Sequence, residues 1–276
     1  MHPAPPPAPL PALGPTASLR DFFVGFSLPW RSVGLIRRNP TLRRLSLAMG
    51  AVTALLLIAL AAALFRWADD LFALLVPRPE SSWLTAFWWL GVVAVGLLAF
   101  VLGALTLPPL ALSPLQDPLG EATEALHGGS PAPFNLRELF ESSWIGLKHT
   151  LVRLGLTFAG ILVLLPLNLI PGMGSVAYGA LATMWGMFAL AAEHVGGPLA
   201  RHRYPSRAVF RLARQRPALF LGLGAAVWMV LIIPVINAFF LPLAVIAGAE
   251  AFVSLERAGA LPERTNPADR SSPARP

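Results

Sequence analysis

The short segment NPTLRR, which begins at Asn39, has residue types suited to binding an oxyanion at the start of a helix. Asn39 is a favourable N-cap and Pro40 suits the first helical position, so a helix is predicted to begin here. A helix start presents backbone N–H groups and a positive dipole end, and Arg43 and Arg44 add guanidinium groups that fit tetrahedral oxyanions. The alternative is that both arginines only hold the helix at the lipid headgroups. The candidate anion-binding residues are Asn39, Thr41, Leu42, Arg43 and Arg44.

A second group of charged residues lies in and beyond the segment SPLQDPLGEATEAL. Asp117 is predicted to cap a helix there, with Pro118 in the first turn. Glu121 and Glu124 share the polar side of this helix. Together with His202, these acids can line an entrance for an anion or pair with arginines, and we favour pairing.

Further charged residues occur near the ends of apolar runs. Arg207, Arg211 and Arg214 lie on one face of the segment SRAVFRLARQR, and contact with anionic lipid explains this face better than an anion vestibule does. Glu193 and Glu250 end two apolar runs, which raises proton coupling as a hypothesis. Snorkelling or pairing with a cation is the alternative that we favour for both acids.

No motif in the sequence indicates an enzyme. The chain has no cysteine, no glycine-rich phosphate loop, no Gly-x-Ser-x-Gly elbow and no His-Glu-x-x-His. The spacing of the histidines does not match a metal site; they include His127, His149, His194 and His202. We therefore predict a protein that is not an enzyme and that uses no cofactor and no metal.

The composition is that of an integral membrane protein. Charged residues make up 13% of the chain and hydrophobic residues 55%, and the mean hydropathy is +0.64, whereas a soluble domain carries about 25% charged residues. The net charge of +7 comes from arginines that flank apolar stretches, so the positive-inside rule explains it better than nucleic-acid binding does. Four long stretches have no charged residue or histidine: Leu45–Phe65, Trp83–Leu112, Leu154–Ala192 and Pro217–Ala249.

The last two of these stretches are interrupted by proline and asparagine. Their lengths of 39 and 33 residues leave little for two full spans, because each span needs roughly 20 apolar residues. We predict that each is a helical hairpin that turns within the bilayer or near its far face, packed against protein or water. Four ordinary spans are the alternative. The predicted tip residues are Pro166, Asn168, Pro171, Gly172 and Gly174 in the first hairpin and Pro234, Asn237 and Pro242 in the second.

The predicted fold is therefore all-α, with two long transmembrane helices, two partially penetrating (re-entrant) hairpins and amphipathic surface helices. One surface helix is predicted over Leu19–Arg38, interrupted near Pro29, and the first transmembrane helix is predicted to run through Phe65. Arginines are frequent in residues 1–44 and 194–216 but sparse in 66–82. Both termini are therefore predicted to be cytoplasmic.

The predicted domain organisation is a membrane domain between two tails. The membrane domain covers residues 19–255, and Pro-rich or polar tails, predicted to be disordered, cover residues 1–18 and 256–276.

Five segments, taken in order, resemble the CysZ family of bacterial inner-membrane proteins, which is related to eukaryotic etoposide-induced membrane proteins. They are FFVGF…NPTLRRLSLAM, SPLQDPLGEATEAL, IPGMGS, GGPLARHRYP and PVINAFFLPLAVIAGAEAF. The resemblance implies sulfate uptake for cysteine synthesis by a channel-like route, in a homo-oligomer embedded in the lipid bilayer. It also implies sulfate binding at a Gly-Leu-Arg turn, which reads Thr41, Leu42 and Arg43 here. A non-transporting membrane scaffold or lipid-homeostasis protein of the same fold is the alternative.

Overall fold

The computed structural model describes residues 10–14, 18–128, 155–205, 207–231 and 234–261, and within them every regular element is a helix. The all-α prediction is therefore confirmed. Most of both predicted tails lies outside the described residues, and so does the segment 135–153, where the mixed charge of the sequence predicts another surface helix. The helices are α1 (Leu19–Arg38), α2 (Pro40–Leu75), α3 (Ser82–Ala111), α4 (Ser113–Leu126), α5 (Gly155–Leu169), α6 (Gly174–Arg201), α7 (Arg207–Gln215), α8 (Pro217–Leu231) and α9 (Pro234–Arg257).

In the described ranges, four helices are long and apolar enough to cross a membrane. The apolar windows of α2 and α3 are only 17% and 12% buried, whereas that of α9 is 78% buried. α2 and α3 therefore leave most of their surface uncovered by the rest of the chain, and α9 is the helix around which the others pack. The four segments are Pro40–Leu75, Ser82–Pro108, Gly174–Arg201 and Phe239–Arg257.

The first long helix begins as predicted and ends later than predicted. Asn39 is the N-cap of α2 and Pro40 is its first residue, which confirms the predicted start. The helix continues to Leu75 instead of ending near Phe65. Phe72 packs on Trp88 of α3, with 5.4 Å between the ring centroids, so packing against the next helix holds these extra turns in place.

α1 and α8 approach each other so closely that their backbones touch. A Cβ atom at Gly25 would clash with the carbonyl oxygen of Leu219, and one at Gly222 would clash with that of Phe22. Glycine permits this distance, as small residues do in membrane helix interfaces. The predicted interruption of α1 near Pro29 is wrong, since the helix is continuous and Pro29 is buried within it.

Each of the two interrupted apolar stretches is divided into two helices. In the first, α5 ends in a 3₁₀ segment over Leu165–Leu169, and Gly172 then has a φ of +77° before α6 begins. This left-handed backbone favours glycine. Helix α6 has 28 residues, about 42 Å, which is long enough to cross the roughly 30 Å hydrocarbon core.

The second hairpin differs from the first in its lengths. Helix α8 has 15 residues, about 22 Å, and is too short for a full crossing. Helix α9 begins at Pro234, passes through Asn237 and has Pro242 inside it, so the structure does not place Pro242 at the turn. Partial penetration of both hairpins stays a prediction.

Replacing Gly25 by alanine tests the close contact between α1 and α8. We expect G25A to destabilise the protein by roughly 1–3 kcal/mol, because the new methyl group forces two packed backbones apart. Gly34 is the matched control on the same helix, since a Cβ there meets nothing within 4 Å. G34A should be neutral or slightly stabilising. Thermal unfolding in detergent measures both, and equal effects would contradict the packing described here.

Candidate functional site

The predicted anion-binding segment forms the corner between α1 and α2. Asn39 ends the first helix and caps the second: its own N–H donates to the carbonyl oxygen of Leu35, at 2.9 Å. Its side-chain Oδ1 accepts from the N–H groups of Thr41 and Leu42, at 2.9 and 3.1 Å. The N–H of Arg43 donates to the Asn39 carbonyl oxygen at 3.0 Å. The backbone donors of the first turn are therefore already used within the chain.

The side chains at this corner point in two directions. Leu42 is fully buried and packs with Met49 of α2, Leu119 of α4 and Ile246 of α9. Thr41, Arg43 and Arg44 are exposed. The buried leucine thus fixes the start of α2 against the core and turns the two guanidinium groups outward.

Sequence reasoning missed two residues that join this basic corner. Arg37 and Arg38 occupy the last turn of α1 and are also exposed. In the described part of the chain no carboxylate is paired with them or with Arg43 and Arg44. The sequence could have indicated them, because they directly precede the predicted N-cap Asn39. When two helices meet at one residue, the residues on either side of it lie close together. We call Arg37, Arg38, Arg43 and Arg44 the arginine corner.

Two acids of α4, Asp117 and Glu124, form a separate cluster around the mostly buried Arg201, at the end of α6. The guanidinium group donates to Asp117 Oδ1 at 2.9 Å and to Glu124 Oε1 at 2.7 Å. The other oxygen of Glu124 lies 2.7 Å from His202 Nε2. The His202 ring stacks on Phe252 of α9, with 4.7 Å between the centroids. This Arg201 cluster therefore joins α4, α6 and α9.

The charges in this cluster are matched within the chain. The Glu124 and Arg201 side chains are only 8% and 11% exposed, and a buried charge is costly unless it is paired. Because two carboxylates already contact Arg201, this guanidinium offers little net positive charge to another anion. The geometry thus favours pairing over an entrance for Glu124 and His202. Asp117 and Pro118 lie inside α4, which begins at Ser113, so the predicted cap at Asp117 is wrong.

The two glutamates of α4 have opposite electrostatic environments. Burial alone would raise the pKa of Glu124, but its hydrogen bond with His202 and the charge of Arg201 outweigh burial and lower that pKa. The pKa of Glu121 is raised, chiefly because burial disfavours its charged form and despite the attraction of Arg201. Glu124 is therefore the acid that the fold keeps ionised.

A second buried pair holds the end of α4 against α9. His127, the C-cap of α4, has its Nε2 atom 3.5 Å from Glu250 Oε1, and the two side chains are 3% and 0% exposed. Arg257 donates to the His127 carbonyl oxygen at 3.0 Å. Glu250 is thus buried and faces His127 instead of snorkelling to the interface, and its carboxylate oxygens have no hydrogen-bond partner among the described residues. The structure places no three potential metal ligands together among its described residues.

The predicted tip residues of the first hairpin form a turn and are not part of the charged clusters described above. Asn168 is exposed and donates to the carbonyl oxygen of Leu165 at 3.3 Å. Pro166 lies in the 3₁₀ segment, and Pro171 and Gly172 form the turn that follows. Gly174 begins α6, where a Cβ would clash with the carbonyl oxygen of Leu167. These residues shape a tight turn, and their contacts give no further indication of an anion site.

These helices and their charged clusters define the chain as a polytopic α-helical membrane protein. The family described as "Sulfate transporter CysZ/Etoposide-induced protein 2.4" matches residues 28–242, which is most of the chain, and the protein belongs to that family. Curated relatives named sulfate transporter CysZ, from Salmonella paratyphi A and Salmonella typhi, are each 26% identical over 178 residues. The alignments cover 64% of this chain and 70% of each relative. The relative from Salmonella typhimurium has the same identity and coverage.

The opposite environments of Glu121 and Glu124 predict opposite effects of glutamine substitution. E124Q should destabilise the protein by about 3 kcal/mol at pH 7, because it leaves part of a buried ion pair uncompensated. E121Q should be neutral or stabilising, because ionised Glu121 is disfavoured by burial. Thermal unfolding in detergent compares the two. Equal destabilisation by both would contradict the assigned roles.

The pH dependence of stability follows from the lowered pKa of Glu124. A glutamate ordinarily has a pKa of 4.5, so near that pH the folded state, in which the pKa of Glu124 is lowered, binds fewer protons than the unfolded state. The ionised group therefore stabilises the fold above pH 4.5, and this contribution is lost as the pH falls through the lower folded-state pKa. Melting temperatures recorded from pH 7 down to pH 3 should fall less steeply for E124Q. An unchanged slope would show that Glu124 does not contribute.

Proposed function

We propose that this protein carries sulfate or a chemically similar oxyanion across the bacterial inner membrane. The observation that carries the proposal is the family match over residues 28–242, supported by curated relatives whose printed name is sulfate transporter. The four long apolar helices supply the membrane-spanning body that a transporter needs. Both termini lie on the cytoplasmic side in this proposal, in accord with the arginine bias of the sequence.

The arginine corner is the proposed recruitment site for the anion. Arginine guanidinium groups bind tetrahedral oxyanions through paired N–H donors and stay charged at any physiological pH. Because Asn39 already occupies the first-turn amides, the side chains of Arg43 and Arg44 do the binding, with Arg37 and Arg38 adding to the local positive potential. The helix dipole of α2 favours a negative charge at the same place.

The proposed path through the membrane uses the two hairpins of more than one subunit. A bare dianion in hydrocarbon would be prohibitively costly, so the path has to contain water and polar groups. Polar backbone at hairpin turns is tolerated in the membrane where it is covered by protein or lines water. Both hairpin ends carry an asparagine, Asn168 and Asn237, between apolar neighbours. A homo-oligomer brings several such ends together, and a channel-like passage between them requires no energy-converting subunit.

One observation favours the second candidate, a membrane scaffold or lipid-homeostasis protein that has the fold without the transport activity. The backbone amides of Thr41 and Leu42 are capped by Asn39, and Thr41 stands where the family turn has glycine. A family member that no longer binds the anion would show both features. The transport experiment separates the two candidates.

Removing the two arginines of the corner that belong to α2 tests the proposal. We expect R43A/R44A to reduce labelled sulfate uptake into proteoliposomes roughly tenfold or more at low sulfate, since hydrogen bonds to a charged ligand contribute about 1.5–3 kcal/mol each. The matched control R20A/R66A also removes two exposed arginines and should stay within about twofold of the parent.

Two outcomes would change this proposal in different ways. Equal uptake by R43A/R44A and by the parent protein would keep transport but overturn recruitment at the arginine corner. No uptake above that of empty liposomes, from protein that unfolds cooperatively, would overturn transport and favour the scaffold.

A further inference from the structure

The short helix α7 connects two apolar helices. It lies between α6, whose candidate span ends at Arg201, and α8, which begins at Pro217. Because the apolar sequences of both neighbours suit entry into the bilayer, we expect the nine residues of α7 to lie at the level of the lipid headgroups.

The two faces of α7 differ completely in chemistry. Ala208, Val209 and Leu212 are buried in the main hydrophobic core. Arg207, Arg211 and Arg214 are exposed, and their spacing of four and three residues places them in a row on one side of the helix. We call these three residues the arginine stripe. In the described part of the chain, no carboxylate is paired with any of them.

The surroundings of the stripe lack acids and offer open space. The sequence between residues 194 and 216 has no acid; of its six arginines three form the stripe, and Arg201 and Arg216 are paired with acids of α4 and α1. Two shallow hollows of about 410 and 420 Å³ adjoin the stripe, and Arg211 lines both. The first hollow is lined by Arg207, Phe210, Arg211, Arg214 and Gln215, and the second by Arg211, Gln215, Arg216 and residues 258–261.

We propose that the arginine stripe of α7 binds the phosphate groups of anionic phospholipids in the leaflet that faces the arginine-rich side. Guanidinium groups bind phosphate oxygens in pairs, and a row of three matches the repeated phosphates of a membrane surface. The hollows are open, and the stripe is exposed along its length, so the surface suits a phosphate that the bilayer itself holds at this depth. Lipid bound here would fix the loop between the two hairpins, because the opposite face of α7 is part of the core.

Lipid retention by the purified protein tests this proposal. In detergent containing dioleoylphosphatidylglycerol, native mass spectrometry should show lipid adducts on the parent protein and at least tenfold weaker binding by R207Q/R211Q/R214Q, since each arginine near an anionic surface contributes on the order of 1 kcal/mol. Dioleoylphosphatidylcholine should bind weakly and equally to both. R207K/R211K/R214K, which keeps the charge, should retain most phosphatidylglycerol binding and guards against misfolding as the cause.

A control with the same loss of charge distinguishes a site from general electrostatics. R264Q/R270Q/R275Q removes three arginines of the tail predicted over residues 256–276 and also changes the net charge from +7 to +4. Phosphatidylglycerol binding should be nearly unchanged in this variant. An equal loss in both triple variants would overturn the arginine stripe as a specific surface.

The same variants separate lipid binding from binding of the free anion. Sodium sulfate or inorganic phosphate, at constant ionic strength, should not displace the bound phosphatidylglycerol. In phosphatidylcholine liposomes, R207Q/R211Q/R214Q should take up sulfate as the parent protein does. Displacement by either salt, or loss of sulfate uptake in those liposomes, would overturn the lipid assignment and make the stripe part of an anion path. The lipid-retention measurement itself does not require that the protein transports sulfate.

Discussion

The packing of α4 against α6 and α9 depends on one mostly buried cation, Arg201. A guanidinium group with 11% of its side chain exposed needs charged partners, and both of them come from α4. α4 is thereby fixed against the end of α6, and the stacking of His202 on Phe252 and the pair of His127 with Glu250 attach the same region to α9. The position of α4 in turn supplies Leu119, against which Leu42 packs at the start of α2. The position of the arginine corner therefore depends, through Leu42 and α4, on the Arg201 cluster.

The arginines of this chain have separate roles that their environments distinguish. Arg201 and Arg216 are mostly buried and neutralised by acids; Arg216 contacts Asp21 and the Gly14 carbonyl oxygen, which ties residues from the predicted N-terminal tail to the core. The arginine corner and the arginine stripe are exposed. A bound anion has most to gain from the exposed groups, since a guanidinium already paired with carboxylates offers little net charge. The high net charge of +7 thus combines structural pairs with two surfaces that remain open to anionic ligands.

Local chemistry in the sequence was enough to predict the all-α class, the start of α2 at Asn39 and Pro40, and a turn within residues 164–175. Each of these depends on neighbours a few residues apart. The partners of Glu124 could not be predicted in the same way, since Arg201 is 77 residues away in the chain. The predicted N-cap at Asn39 implied that its side chain accepts hydrogen bonds from the first turn. Only the structure shows that it occupies the amides of both Thr41 and Leu42, which leaves neither amide to bind an anion. The continuation of α1 through Pro29 and of α9 through Pro242 reflects tertiary packing that outweighs the local cost of proline.

Oxyanion transport by the wild-type protein is the central claim, and competition during uptake tests it most directly. Proteoliposomes would be given labelled sulfate with an excess of either selenate, which has the same shape and charge, or chloride. The account predicts saturable uptake that selenate suppresses and equimolar chloride does not, with no uptake by empty liposomes. Uptake equal to that of empty liposomes, from protein shown to be folded, would contradict the account, as would uptake that chloride suppresses as strongly as selenate does.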